Sequence, residues 1–203
     1  ANIRIRMPST LFSIGHGNKT PEEFFSELNS FDIQFLIDVR SSPFSKWAPQ
    51  FNRGSIENLF LNSPIRYSYM GNLIGGRPLN NDCYDEEGRF DYKKMAQVPE
   101  FIEGLNRLIK ANSQGFRVAI MCSESDPSQC HRSKLIGREL FFEHNIDMLH
   151  ITAPKKIKTE QDIIIELTKG AWDPNPMFPE LNEKPYFKSR NSYKEPELSE
   201  EYD

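Results

Sequence analysis

The apolar positions of this chain form short runs that alternate with segments of helical spacing. Strands are predicted by five such runs, at residues 11–14, 35–37, 65–69, 117–121 and 148–151. Helices are predicted from Thr20, near 55–61, from Val98, from Asp126 and from Thr159 to Leu167. This alternation is typical of a mostly parallel sheet with helices on both faces. We therefore predict an α/β fold with a five-stranded sheet, a Rossmann-like or flavodoxin-like three-layer sandwich.

Capping residues mark where two of these helices start. Thr20-Pro21-Glu22-Glu23 combines an N-cap Thr, a Pro at the first helical position and a Glu that closes a capping box. Asp126-Pro127-Ser128-Gln129 repeats this arrangement. It predicts that Cys130, His131 and Arg132 lie at the end of the first helical turn, where backbone N–H groups favour an anion.

The charge is concentrated at the C-terminal end. Residues 171–203 contain five prolines, eight acidic and four basic residues, which account for the whole net charge of −4. We therefore predict a single α/β domain over residues 1–170 and an acidic, Pro-rich extended tail over 171–203. Packing of this tail on a neighbouring copy, and with it a homo-oligomer, is left open.

Composition excludes several classes of protein. No stretch has the roughly 18 apolar residues that a membrane-spanning helix needs, and residues 1–7 have no apolar signal-peptide core. We expect a cytoplasmic protein without membrane partners. The three widely spaced cysteines fit a reducing compartment better than a disulfide framework.

Unusual polar residues follow the predicted strands. His16 and Asn18 follow the first strand, Asp38 and Arg40 close the second, and Cys122 follows the fourth. Ligands of open α/β sheets bind at the carboxyl ends of the strands. The sequence therefore predicts a site at that edge.

The Cys122–Arg132 stretch contains the most reactive side chains. A thiol near a helix start and a guanidinium has a lowered pKa and is more nucleophilic, and Arg132 is suited to clamp a phosphate or carboxylate. The competing interpretation is that Cys122 and Cys130 are small buried side chains. Zinc ligation by these cysteines with His131 is a third use, but paired ligand spacing is missing, so no metal is predicted.

Two further segments bear on the predicted site. The loop after Arg40 contains Phe44, Lys46 and Trp47, which suit stacking and phosphate contact with a nucleobase ligand. The competing interpretation is a structural Asp38–Arg40 ion pair, with Trp47 covering the edge of the core. We prefer ligand contact for Arg40 and packing for Trp47. Residues 71–78 are Gly-rich without a dinucleotide or Walker pattern, and are interpreted as a flap or a close backbone approach.

Four motifs together resemble the family called domain of unknown function 488. They lie at residues 13–18, 38–43, 69–76 and 122–132, and the resemblance spans about residues 10–155. It implies that the family's motif positions are Gly15, His16, Asp38, Arg40, Gly75, Cys122, Glu124, Cys130, His131 and Arg132. The family's name records no activity, so the resemblance implies no reaction.

The residues favour a hydrolase or transferase that acts on an anionic, phosphate-bearing substrate such as a nucleotide or nucleic acid. Cys130 or Cys122 is the predicted nucleophile, and His131 and Glu124 handle protons. The predicted substrate contacts are Arg40, Arg132, His16, Asn18, Asp38, Lys46, Tyr69, Gly75 and Gly76. No cofactor signature is present, so no cofactor is predicted. A non-catalytic nucleotide or nucleic-acid binding module and a thiol redox or metal-binding protein stay open as alternatives.

Overall fold

A computed structural model describes residues 9–77 and 81–193 of the chain. The strands are β1 Leu11–Gly15, β2 Phe35–Asp38, β3 Arg66–Tyr69, β4 Arg89–Asp91, β5 Val118–Cys122, β6 Leu149–Ala153, β7 Lys156–Thr159 and β8 Lys188–Ser192. The α-helices are α1 Pro21–Asn29, α2 Arg53–Phe60, α3 Gly71–Ile74, α4 Tyr92–Met95, α5 Pro99–Ser113, α6 Arg138–His144 and α7 Glu160–Leu167. A π-helix, Arg132–Gly137, runs directly into α6. Short 3-10 turns lie at Pro49–Phe51, Asn81–Cys83, Pro127–Gln129 and Pro179–Leu181.

The main sheet confirms the predicted α/β class. Its strand order is β3-β2-β5-β1-β6-β7, and every pairing is parallel except that of β7 with β6. The sheet has six strands rather than the predicted five. The sixth, β7, has the sequence Lys-Ile-Lys-Thr and is largely exposed, so it lacks the apolar run by which the other strands were predicted.

Helices cover both faces of the sheet. Phe24 and Leu28 of α1 pack in one core with Phe12 of β1, whereas Leu135 and Leu140 belong to the core on the other face. The helix that follows β1 and the helix that follows β5 therefore lie on opposite faces of the sheet, although the two strands are neighbours. Such a switch point opens a crevice at the carboxyl ends of the two strands, where α/β proteins bind ligands.

The segment after β5 departs from the predicted helix start. The Asp126 side chain accepts a hydrogen bond from the Ser128 N–H, but it caps only the 3-10 turn Pro127–Gln129. Cys130 then takes an extended conformation, with φ −121° and ψ 149°, and the helix begins at Arg132. The prediction that residues 130–132 end a first helical turn was therefore wrong. The local capping pattern marks the turn, while the extended Cys130 delays the helix.

The described part of the predicted tail, residues 171–193, contacts the rest of the chain. The Trp172 ring lies against Phe141 and Phe142, with ring centroids 5.5 and 5.4 Å apart. Farther along, β8 pairs with β4 in a separate two-stranded antiparallel sheet. A domain boundary at residue 170 stays a prediction. Within the described ranges, no helix combines the length and apolar character needed to cross a bilayer.

A buried polar chain links β1, β6 and α7. The Ser13 hydroxyl lies 2.5 Å from His150 Nδ1, and His150 Nε2 lies 2.6 Å from Glu160 Oε2. Ser133 donates to the other Glu160 oxygen. Burial lowers the pKa of His150 well below its ordinary value, helped by the positive charge of Arg132. Burial also raises the pKa of Glu160 well above its ordinary value.

We predict that acidification destabilises the wild type relative to His150→Gln. The unfolded chain protonates His150 below about pH 6.5, whereas the folded protein resists this proton, so stability is full above that pH and is lost below it. The raised pKa of Glu160 acts in the opposite direction, and Gln is chosen because its amide keeps a polar partner for the Glu160 carboxyl, so the difference between the two proteins reports on His150. Urea unfolding between pH 7 and pH 5 should show a relative loss approaching ~1.4 kcal/mol per pH unit. Parallel pH profiles would contradict this role for His150.

Candidate functional site

A cavity of about 460 Å³ lies at the carboxyl edge of the sheet, next to β1 and β5. One side is formed by His16 after β1 and by the loop after β2. Gly76, Arg77 and the Cys122–His131 segment contribute further lining residues. The remaining wall comes from the two-stranded sheet and the residues directly after its strands, and includes Phe90, Tyr92, Ser189, Arg190, Asn191 and Tyr193.

Arg40 is fixed in the cavity wall by its neighbours. Its Nε and Nη2 atoms donate to the two Asp38 carboxylate oxygens at 2.9 and 2.7 Å, and Nη2 also donates to the Phe51 carbonyl. Tyr67 donates to the same carboxylate at 2.8 Å. Burial, followed by the negative charge of Asp38, raises the pKa of Tyr67 far above its usual range. Asp38–Arg40 is thus a buried structural ion pair, although Arg40 still lines the cavity.

His16 is held as a neutral ring beside Arg40. Its Nδ1 lies 2.9 Å from the Gly17 carbonyl, and its Nε2 lies 3.1 Å from Arg40 Nη1. The carbonyl requires a proton on Nδ1, so Nε2 accepts from the guanidinium. Burial, and secondarily the charge of Arg40, lowers the pKa of His16. The ring also stacks on Phe51, with centroids 4.7 Å apart.

Cys122, Cys130 and His131 meet in the wall of the cavity. One potential ligand atom from each of the three buried side chains lies within 4.8 Å of the others. Cys130 Sγ is 3.6 Å from His131 Nδ1. A hydrogen bond from Cys130, together with His131 and Arg132, holds the pKa of Cys122 well below its ordinary value. Burial and the neighbouring Cys122 raise the pKa of Cys130.

Arg132 lies behind this cluster instead of in the cavity lining. The residue is 0% exposed. Its Nε donates to the Ser13 hydroxyl at 3.1 Å, and its two terminal nitrogens donate to the carbonyls of Glu124 and Ser125. The sequence predicted that Arg132 contacts an anionic ligand. In the structure its guanidinium instead binds the backbone of the loop after β5.

The remaining predicted contacts divide by position. Among the other predicted substrate-binding residues, Gly76 lines the cavity, whereas Asn18, Asp38, Lys46, Tyr69 and Gly75 are not part of the lining. Tyr69 donates to the Ser41 carbonyl. Gly76 packs so closely on the His131 ring that a Cβ there would lie 2.8 Å from Nδ1. Glu124 lines the cavity, and its carboxylate accepts from the Asp126 N–H.

Two cavity arginines, Arg77 and Arg190, are absent from the predicted site residues. Arg77 donates to the Tyr193 hydroxyl at 3.2 Å, and its guanidinium lies 4.7 Å from that ring's centroid. Arg190 reaches the cavity through the pairing of β8 with β4. These strands lie about a hundred residues apart in sequence, so no local pattern indicated their contact.

The loop after β2 carries two exposed aromatic side chains at or near the cavity lining in sequence. Phe44 lines the cavity and is 56% exposed, and Trp47, three residues later, is 90% exposed. The interpretation that Trp47 covers the core edge was therefore wrong. An indole this exposed, two residues after the cavity residue Ser45, is free to stack on a ligand.

The Cys122, Cys130 and His131 cluster is also the place where the described residues could hold a soft metal ion. Two thiolates and an imidazole form a donor set that suits zinc, and three protein ligands leave a position open. The arrangement therefore fits either a metal centre or a reactive thiol beside a second thiol.

Comparison with known families adds one assignment. A family model described as "Domain of unknown function DUF488" matches residues 20–138, more than half of the chain. The chain belongs to this family. No curated protein and no solved structure matches it significantly.

The residues matched by the DUF488 model include one part of the site and not another. It includes Asp38, Arg40 and the whole Cys122–Arg132 segment, and it confirms the resemblance inferred from the motifs. Arg190 lies beyond the matched residues. The DUF488 description states no activity, so chemistry must be argued from the site itself.

We predict that Arg132→Met destabilises the protein by about 2–5 kcal/mol, because two buried loop carbonyls lose their donors. Arg190→Met is the matched control. Arg190 is exposed, and its side chain makes no hydrogen bond to the described residues, so its loss should cost less than about 0.5 kcal/mol. Urea unfolding of both variants checks this. Equal stabilities would contradict the structural role of Arg132.

Proposed function

We propose that this protein is a hydrolase or transferase that acts on a phosphate-bearing substrate, a nucleotide or single-stranded nucleic acid. One observation carries the proposal. The cavity lined by Arg40, Arg77 and Arg190 is also lined by the buried cluster of Cys122, Cys130 and His131. An anion held by the arginines would therefore lie beside reactive groups.

The charges of the cavity favour an anionic ligand. The lining residues that the structure describes include three guanidinium groups and one carboxylate, that of Glu124. Guanidinium groups bind phosphate through two parallel hydrogen bonds. Asp38 and the Phe51 carbonyl already occupy much of Arg40, whereas Arg190 is exposed. Arg190 and Arg77 are therefore the principal phosphate contacts in this proposal.

The two exposed aromatic residues of the loop after β2 favour a ligand that carries a base. Phe44 and Trp47 lie on the same loop as the cavity residues Ser41, Ser42 and Ser45. Stacking of a base on such a ring contributes about 1–3 kcal/mol. A phosphate at Arg77 and Arg190 and a base at Phe44 or Trp47 together describe a nucleotide unit.

The reacting groups in this proposal are Cys122, Cys130 and His131, with Glu124 as a proton carrier. A thiol nucleophile and a metal-activated water are the two chemistries that such a cluster supports. Both place the reacting atom at the same wall of the cavity, and neither needs an organic cofactor.

We predict that single-stranded oligonucleotides quench the fluorescence of Trp47. The chain has two tryptophans, and Trp172→Phe leaves the exposed Trp47 as the reporter. Binding should weaken as salt increases, and Arg190→Met should lower the slope of log K against log salt by about 1 because one phosphate contact is lost.

Mass spectrometry of the incubated nucleotide would then detect turnover, which Cys122→Ala should abolish without abolishing binding.

Three outcomes would count against this function. Absence of quenching by nucleotides or oligonucleotides would remove the ligand class. Quenching that is insensitive to salt and to Arg190→Met would remove the phosphate contacts. Binding without turnover across mono-, di- and triphosphates and oligonucleotides would leave a binding module instead of an enzyme.

A further inference from the structure

We propose that Cys122, Cys130 and His131 are ligands of a zinc ion whose fourth coordination position opens into the cavity. The metal would be the reaction centre of the same site, so its use in catalysis rests on the proposed function. Binding of the metal does not depend on that function.

The distances between the donor atoms suit one small ion. In a tetrahedral site with bonds of about 2.3 Å to sulfur and 2.0–2.1 Å to nitrogen, the donor atoms lie roughly 3.3–3.8 Å apart. Cys130 Sγ and His131 Nδ1 are 3.6 Å apart, and the three donors lie within 4.8 Å of one another. Small side-chain movements would complete the coordination.

The position of His131 suits a metal ligand beside the two thiols. His131 is only 7% exposed, and Gly76 lies against the ring and limits its movement. The ring nitrogen 3.6 Å from Cys130 Sγ is Nδ1. With a metal on Nδ1, the neutral ring would carry its proton on Nε2, which is buried without a hydrogen-bond partner in the described structure.

Two groups next to Cys130 would stabilise its thiolate once a metal ion replaces the proton. The backbone N–H of Arg132 points at Cys130 Sγ, with a distance of 3.5 Å. Such N–H groups orient ligating atoms and stabilise their negative charge. The buried Arg132 guanidinium adds positive charge next to two sulfur atoms that a divalent ion would otherwise have to neutralise alone.

The open position defines the type of site. All three ligands line the cavity, and His16 does not supply a fourth because its Nε2 accepts from Arg40. Three protein ligands with one open position are typical of catalytic zinc sites, whereas structural sites are closed by four. Water there would add its oxygen to the substrate, and Glu124 would pass the water's proton to the leaving group.

Metal analysis with matched variants tests this proposal. Protein purified without chelator, then stripped and titrated with Zn²⁺, should bind one ion per chain, measured by mass spectrometry of the metal. Titration with Co²⁺ should produce a sulfur-to-cobalt charge-transfer band, which needs no variant to interpret. Cys122→Ala, Cys130→Ala and His131→Ala should each weaken binding beyond the roughly 10–100-fold typical of losing an outer-shell partner. Cys83→Ala, which removes the remaining cysteine, should leave the affinity unchanged.

The outcomes separate this proposal from the proposed function. Substoichiometric zinc together with no cobalt band overturns the metal site, as does equal loss of metal from Cys83→Ala and Cys122→Ala. If oligonucleotides still quench Trp47 and nucleotides are still turned over in that case, the function stands with a thiol nucleophile. Stoichiometric zinc without quenching by any nucleotide supports the metal site and rejects the substrate class.

Discussion

The buried guanidinium of Arg132 is the interaction on which the site depends. It joins the start of the π-helix to Ser13 in β1 and to the carbonyls of Glu124 and Ser125. The loop that it holds lies so close to β1 that a Cβ at Gly15 would fall 1.9 Å from the Glu124 carbonyl oxygen. Cys122 and Cys130 stand at either side of this loop, so their separation is set by the same hydrogen bonds.

The arginines of the site differ in how many of their N–H donors are free to bind a ligand. Arg132 and Arg40 are buried, and their donors serve carbonyls, a hydroxyl, a carboxylate and a ring nitrogen of the protein itself. Arg190 is exposed. A guanidinium binds a phosphate only with donors that the fold has not already used. The exposed arginine in the outer wall of the cavity is therefore the one that can bind an anion. The buried Arg40 and Arg132 fix the shape of the cavity and its electrostatic potential.

The sequence allowed the local parts of this structure to be predicted. The capping box predicted at Thr20 formed because it depends on residues three positions apart, and the helix predicted from Thr159 also starts with a capping box. The strand ends gathered His16, Arg40 and Cys122 because parallel strands end at one edge. The burial of Arg132 could not be predicted, since Ser13, whose hydroxyl accepts from its guanidinium, lies 119 positions away in the sequence. The contribution of β8 to the cavity has the same cause, because polar residues 188–192 form a strand only through β4.

Zinc K-edge X-ray absorption of the purified protein tests most directly whether Cys122, Cys130 and His131 form one centre. We expect two sulfur neighbours at about 2.3 Å and one imidazole nitrogen at about 2.0–2.1 Å, with a lighter atom in the open position. A spectrum with nitrogen and oxygen neighbours alone, or with a single sulfur, would contradict the proposed centre.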